Sequence, residues 1–151
     1  MRTRIASLML LALAAALPLA MGADDMFVGT WNLNVAKSKF NPGPAPKSMT
    51  VTIEPGGKVA VESVNAEGKE TKWGYTAAPG AEATIDGMEN STVIEKRVGE
   101  RTVEHTWNMG GPAKMTGRGV LSKNGKTMTY TIKGTNAKGE AVHNVEIYEK
   151  Q

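Results

Sequence analysis

The chain has 151 residues, no cysteine, 22% charged and 40% hydrophobic residues, and a formal charge of +3. That is one soluble domain's worth of sequence. It excludes disulfides, thiolate metal sites and a cysteine nucleophile.

The chain opens with a targeting segment. Arg2 and Arg4 give a positive start, and residues 8–20 are almost wholly apolar. The run has the length of a signal h-region and is too short to span a bilayer comfortably. Small residues around Gly22 place the cut after Gly22 or Ala23. The expectation is a bacterial Sec-type signal peptide over residues 1–23, a single domain over 24–151, a secreted or periplasmic protein, and no stable membrane insertion after cleavage. No cysteine follows the apolar run, which excludes a lipoprotein. Removing Arg2 and Arg4 from the 18 basic residues leaves 16 against 15 acidic ones, a net +1. No Lys/Arg run survives, so no nucleic-acid partner is expected.

From residue 25 on, short alternating runs are split by turn residues every eight to twelve positions, the pattern of a sandwich or barrel. The predicted strands are residues 27–33, 49–53, 58–63, 71–75, 83–85, 91–97, 101–108, 114–122, 126–133 and 141–149. Phe27, Gly29, Trp31 and Leu33 share one face of the first, and Val103, His105 and Trp107 share one face of the seventh. Asn124-Gly125 between the eighth and ninth is a strong hairpin signal, because both residues tolerate positive φ. Short turns throughout predict an all-β, antiparallel up-and-down meander of about ten strands. Closure into a barrel removes its exposed edges. Ten strands enclose more space than side chains normally fill, so a cavity is expected.

Residues 35–47 interrupt the pattern. Three prolines, Pro42, Pro44 and Pro46, keep the second half out of helix or strand interior. At most one helical turn fits before Asn41. The segment is expected to be a rigid crossover plugging one barrel end, or a lid with Phe40 as its apolar tip.

The stretch 25–33, with Phe27, Gly29 and Trp31 in a Phe-x-Gly-x-Trp pattern, resembles the opening strand of the intracellular fatty-acid-binding proteins. Residues 147–150 are similar to that family's closing strand. The wider group is the calycin superfamily, and residues 31–46 also resemble small exported bacterial proteins described as lipocalin-like. The resemblance implies a ligand-holding barrel over residues 25–150. Gly29 would let the strand bend at a barrel end. Trp31 would seal that end, burying about 200 Å². In the family an Arg-x-Tyr pair on the last strand holds an acyl carboxylate; the matching positions here are Glu146 and Tyr148. An acid there repels a carboxylate and favours a neutral or weakly polar ligand, such as a long-chain alcohol or ester. A second family arginine, on the eighth strand, corresponds to Arg118.

Catalytic and metal signals are sparse. His105 and His143 are the only histidines, too few for a zinc site without convergent carboxylates. No serine lies in a Gly-x-Ser-x-Gly elbow. Asp86 with Glu89, or Glu95 with Glu104, are the acid–base pairs the sequence offers. The aromatics carry more information: Trp73, Tyr75, Trp107 and Tyr130 fall on the apolar faces of their strands, as in a small-ligand pocket. The sequence therefore predicts a non-enzymatic exported protein that holds a small hydrophobic molecule or lipid, without cofactor or metal. Its ligand-binding residues would be Trp73, Tyr75, Trp107, Arg118, Tyr130 and Tyr148. The alternative is a filled, ligand-free barrel acting as an envelope or interaction protein, with a small hydrolase or isomerase third.

Overall fold

A computed structural model describes residues 25–151; the expected signal peptide lies outside the described residues. Ten antiparallel strands form one sheet: β1 Gly29–Leu33, β2 Ser48–Ile53, β3 Lys58–Val64, β4 Glu70–Thr76, β5 Glu82–Thr84, β6 Thr92–Gly99, β7 Thr102–Asn108, β8 Lys114–Leu121, β9 Thr127–Thr135 and β10 Ala141–Lys150. Each predicted strand is present within two residues of its expected ends. The strand order is β4-β3-β2-β1-β10-β9-β8-β7-β6-β5, so every neighbour is sequential except β1 and β10. Their pairing, Trp31 with Lys150 and Leu33 with Tyr148, curls the meander round. The remaining edges, β4 and β5, meet only at the Gly74–Asp86 bridge, with backbone bonds of 3.0 and 2.8 Å. The result is a nearly closed, ten-stranded antiparallel barrel, consistent with a calycin-like fold.

Period-two alternation decides what faces inward. β3 sends in Val59 and Val61, β6 sends in Val93, and β9 sends in Met128 and Tyr130, all buried. Opposite faces carry Thr, Lys and Glu, as in the Lys72–Glu62 pair across β3 and β4. At the rim where β1 begins and β10 ends, residues 25–28 close the barrel. Phe27 and Trp31 are 1% and 0% exposed. The Trp31 indole N–H donates to the Phe27 carbonyl at 2.8 Å. Asp25 reaches Arg97 on β6, whose guanidinium lies 4.1 Å from the Phe27 ring centroid. Gly29 has φ +139°, where a side chain would also strike the Lys150 stem.

The Pro-rich crossover differs from both expectations. One 3-10 turn, Val35–Lys37, follows β1. Residues 34–41 then run along β10, exchanging backbone bonds with Ile147, Val145 and His143. They cover the stretch of β10 that the short β1 leaves unpaired. Backbone pairing holds the segment against the wall, and neither Phe40 nor its neighbours lines the interior. It is neither plug nor lid.

Candidate functional site

The barrel encloses a cavity of about 180 Å³. β2 and β3 supply aliphatic walls, and Met49, Met109, Met115 and Ile132 line it toward the rim away from Phe27. Methionines give such a wall adaptable shape. The aromatic side is built from β4, β7 and β9. Trp73 and Trp107 meet edge to face at 5.6 Å between centroids, and Tyr75 meets Trp107 the same way at 5.7 Å. His105 stacks on Trp107 at 5.2 Å.

Tyr130 occupies space that β8 vacates. Gly119 is its register partner and Gly117, two residues back on the same face, its diagonal neighbour; a Cβ on Gly117 would lie 2.5 Å from the Tyr130 Cζ. The two glycines are the recess that seats the phenol ring.

Two polar groups stand inside this apolar shell. The first joins β4, β6, β7 and β9. The Trp107 indole N–H donates to the Tyr130 hydroxyl at 3.2 Å, and that hydroxyl lies 2.9 Å from His105 Nδ1. His105 Nε2 lies 3.1 Å from Glu95 Oε2, and the Tyr75 hydroxyl is 3.1 Å from both. With each donor used once, Trp107 donates to Tyr130, Tyr130 to His105 Nδ1, and His105 Nε2–H and Tyr75 to Glu95. Arg97 sits behind Glu95, with Nε 3.4 Å from Oε1. Its Nη1 bonds to Asp25 at 3.2 Å, while Nη2 lies 3.1 Å from Asp25 Oδ2 without a well-aligned hydrogen bond. Burial pushes the Glu95 carboxyl up, but His105, Arg97 and the Tyr75 hydrogen bond outweigh it and hold it below its usual range. Burial raises Tyr75 and Tyr130 well above an ordinary phenol. Both are neutral hydrogen-bonding groups at physiological pH.

The second group lies on β10. Glu146 is 4% exposed, lines the cavity, and stands directly across the β9–β10 pair from Tyr130. Its Oε2 accepts from the Tyr148 hydroxyl at 2.7 Å. Its Oε1 has only a long 3.4 Å contact with the Asn144 amide. Burial raises Glu146 above the ordinary carboxylate range, against the opposing pull of Tyr148 and Asn144. Among the described residues it has no cationic partner within salt-bridge distance.

The structure brings Trp73, Tyr75, Trp107, Tyr130 and Tyr148 together around this cavity. Arg118 is a correction. On β8 the inward parity belongs to Met115, Gly117, Gly119 and Leu121, so Arg118 points out, where it pairs with Glu104 on β7. The same parity separates Glu95 from Glu104: one faces in and the other out, and they are no acid–base pair. Asp86 and Glu89 are both exposed. Sequence reasoning missed Glu95, Arg97 and His105 as one interior group. The signal was present in the shared parity of Val93, Glu95 and Arg97, but the Glu95–His105 cross-strand register supplies the contact. Among the described residues no three His, Asp or Glu side chains converge to hold a metal ion. In comparison with known proteins, no family model matches this chain and no curated protein is significantly similar to it.

Proposed function

We propose that this is an exported, non-enzymatic binding protein of the calycin type that holds one small, largely apolar molecule inside the barrel. The cavity carries this reading. Six aromatic side chains and several aliphatic ones wall it, with a few fixed polar tips, the composition of a small-molecule pocket. The ten-stranded, nearly closed barrel and the Phe27/Gly29/Trp31 opening support the superfamily assignment, while Glu146 beside Tyr148 departs from that family's carboxylate-binding pair. The Arg2/Arg4 start and the apolar run support export.

Size and charge narrow the ligand. A cavity of about 150 Å³ holds a benzene molecule, so one of about 180 Å³ suits a single-ring compound or a short chain. A long-chain alcohol or ester would have to protrude through the mouth. Glu146 faces inward, so an anionic ligand pays for charge repulsion in a low-dielectric site. Catalysis is not favoured by the His105 geometry. Protein groups already engage both ring nitrogens, leaving no free base for a substrate.

Titration with phenethyl alcohol, followed by tryptophan fluorescence, tests this reading. Saturable one-to-one quenching, altered in Trp107→Ala, is the expected result. No saturable uptake of this or any other apolar probe would favour the filled, ligand-free barrel.

A further inference from the structure

The interior charges do not balance. Glu95 is compensated by Arg97 and faces His105. Arg97 is itself shared with Asp25. Glu146 has the Tyr148 hydroxyl and a long amide contact, and among the described residues no cation within salt-bridge distance. A buried carboxyl is costly unless paired, and this one borders a cavity rather than packed side chains. The walls beside it are aromatic: Tyr130 is its cross-strand neighbour, and Trp107 lies against Tyr130, Tyr75 and Trp73. Indole and phenol faces attract cations, and more strongly where water is excluded. A carboxyl without a counter-charge and a set of aromatic faces are complementary to the same kind of ligand.

Resting on the binding reading above, we infer that the ligand is a small organic amine, with its ammonium group against Glu146 and its ring or short chain among Trp73, Trp107 and Tyr75. The ammonium supplies the missing counter-charge and hydrogen bonds for the weakly engaged Oε1. The apolar part fills the space along the Val and Met walls. The cavity volume limits that part to about one ring. Tyr148 orients the carboxyl: with its hydroxyl donating to Oε2, the other oxygen remains for the ligand. The Tyr148 hydroxyl is also 3.0 Å from Met49 Sδ on β2, across the short β1, which fixes the phenol from that side.

The test is a matched series on one single-ring frame: phenethylamine, phenethyl alcohol and phenylacetic acid. Each is titrated into the mature protein by calorimetry at neutral pH. The amine is expected to bind at least tenfold more tightly than the alcohol, with the acid weakest. In Glu146→Gln the advantage of the amine over the alcohol should disappear. An alcohol that binds as tightly as the amine overturns the inference and leaves the binding reading standing. So does an advantage that persists in a folded Glu146→Gln protein. Absence of saturable binding by all three ends both. The series on the unaltered protein decides the matter even if the variant does not fold.

Discussion

Replacing Gly117 by alanine adds one methyl group to a strand interior, a change that an exposed strand position tolerates well. Here the added Cβ would lie 2.5 Å from Tyr130 Cζ and 3.0 Å from Cε1, and closer still to the hydroxyl. The ring cannot simply turn aside. Its hydroxyl is tied to Trp107 and His105, and Tyr130 is 9% exposed. Overpacking of this kind costs about 1–3 kcal/mol, and displacing the phenol forfeits buried hydrogen bonds worth about 1 kcal/mol each. Gly117→Ala should therefore destabilise by about 2–4 kcal/mol. Urea unfolding measures this through the midpoint at unchanged slope. Arg118→Ala, one residue away and outward, should change stability by less than about 0.5 kcal/mol. In a Tyr130→Ala background the Gly117→Ala cost should largely vanish, since contacting residues couple. A Gly117→Ala cost below about 1 kcal/mol, or a larger cost for Arg118→Ala, would refute the inward parity of β8 and the seating of Tyr130.

Further expectations follow from the same geometry. Trp31→Ala empties a fully buried aromatic site and should cost about 3–5 kcal/mol in urea unfolding; a loss below about 1 kcal/mol would mean the rim is not sealed by it. Glu95 is held below the usual carboxylate range in the folded state, so it stabilises above that range and the contribution is lost as pH falls through its folded value. Glu95→Gln should therefore be less stable than the native protein at neutral pH, the gap closing in acid melts; a pH-independent gap would contradict this. Glu146 has the opposite sign: its raised value means that stability is lost as pH rises out of the ordinary glutamate range. Glu146→Gln should be more stable than the native protein at neutral pH and equal to it at about pH 4, and a destabilised variant at neutral pH would speak against a buried carboxyl without a counter-charge. Amino-terminal sequencing of the exported protein should begin at Ala23 or Asp24; a full-length chain recovered from the membrane fraction would contradict cleavage.

The strands were readable because alternation and turn residues are local signals. Asn124-Gly125 fixes one hairpin, and Val103, His105 and Trp107 declare the inner face of β7. For Arg118 the family position and strand parity disagree, and parity decides: Met115 and Leu121 set the inner face of β8, and two glycines between them mark a recess. The crossover was legible only in part. Its prolines exclude helix, but its course along β10 depends on how short β1 is, a long-range fact. The Glu95–His105–Tyr130 chain was hidden for the same reason. Each residue lies on a readable face, while their convergence is set by the register of β6 on β7 and by the closure that brings Tyr75 opposite.

Whether the barrel carries a ligand is decided by native mass spectrometry of the protein isolated from its own source. A binding barrel should fly as the mature chain with a single small molecule bound one to one, of a mass that fits the cavity of about 180 Å³. A bare chain whose mass does not change when an excess of single-ring apolar compounds is added would contradict it.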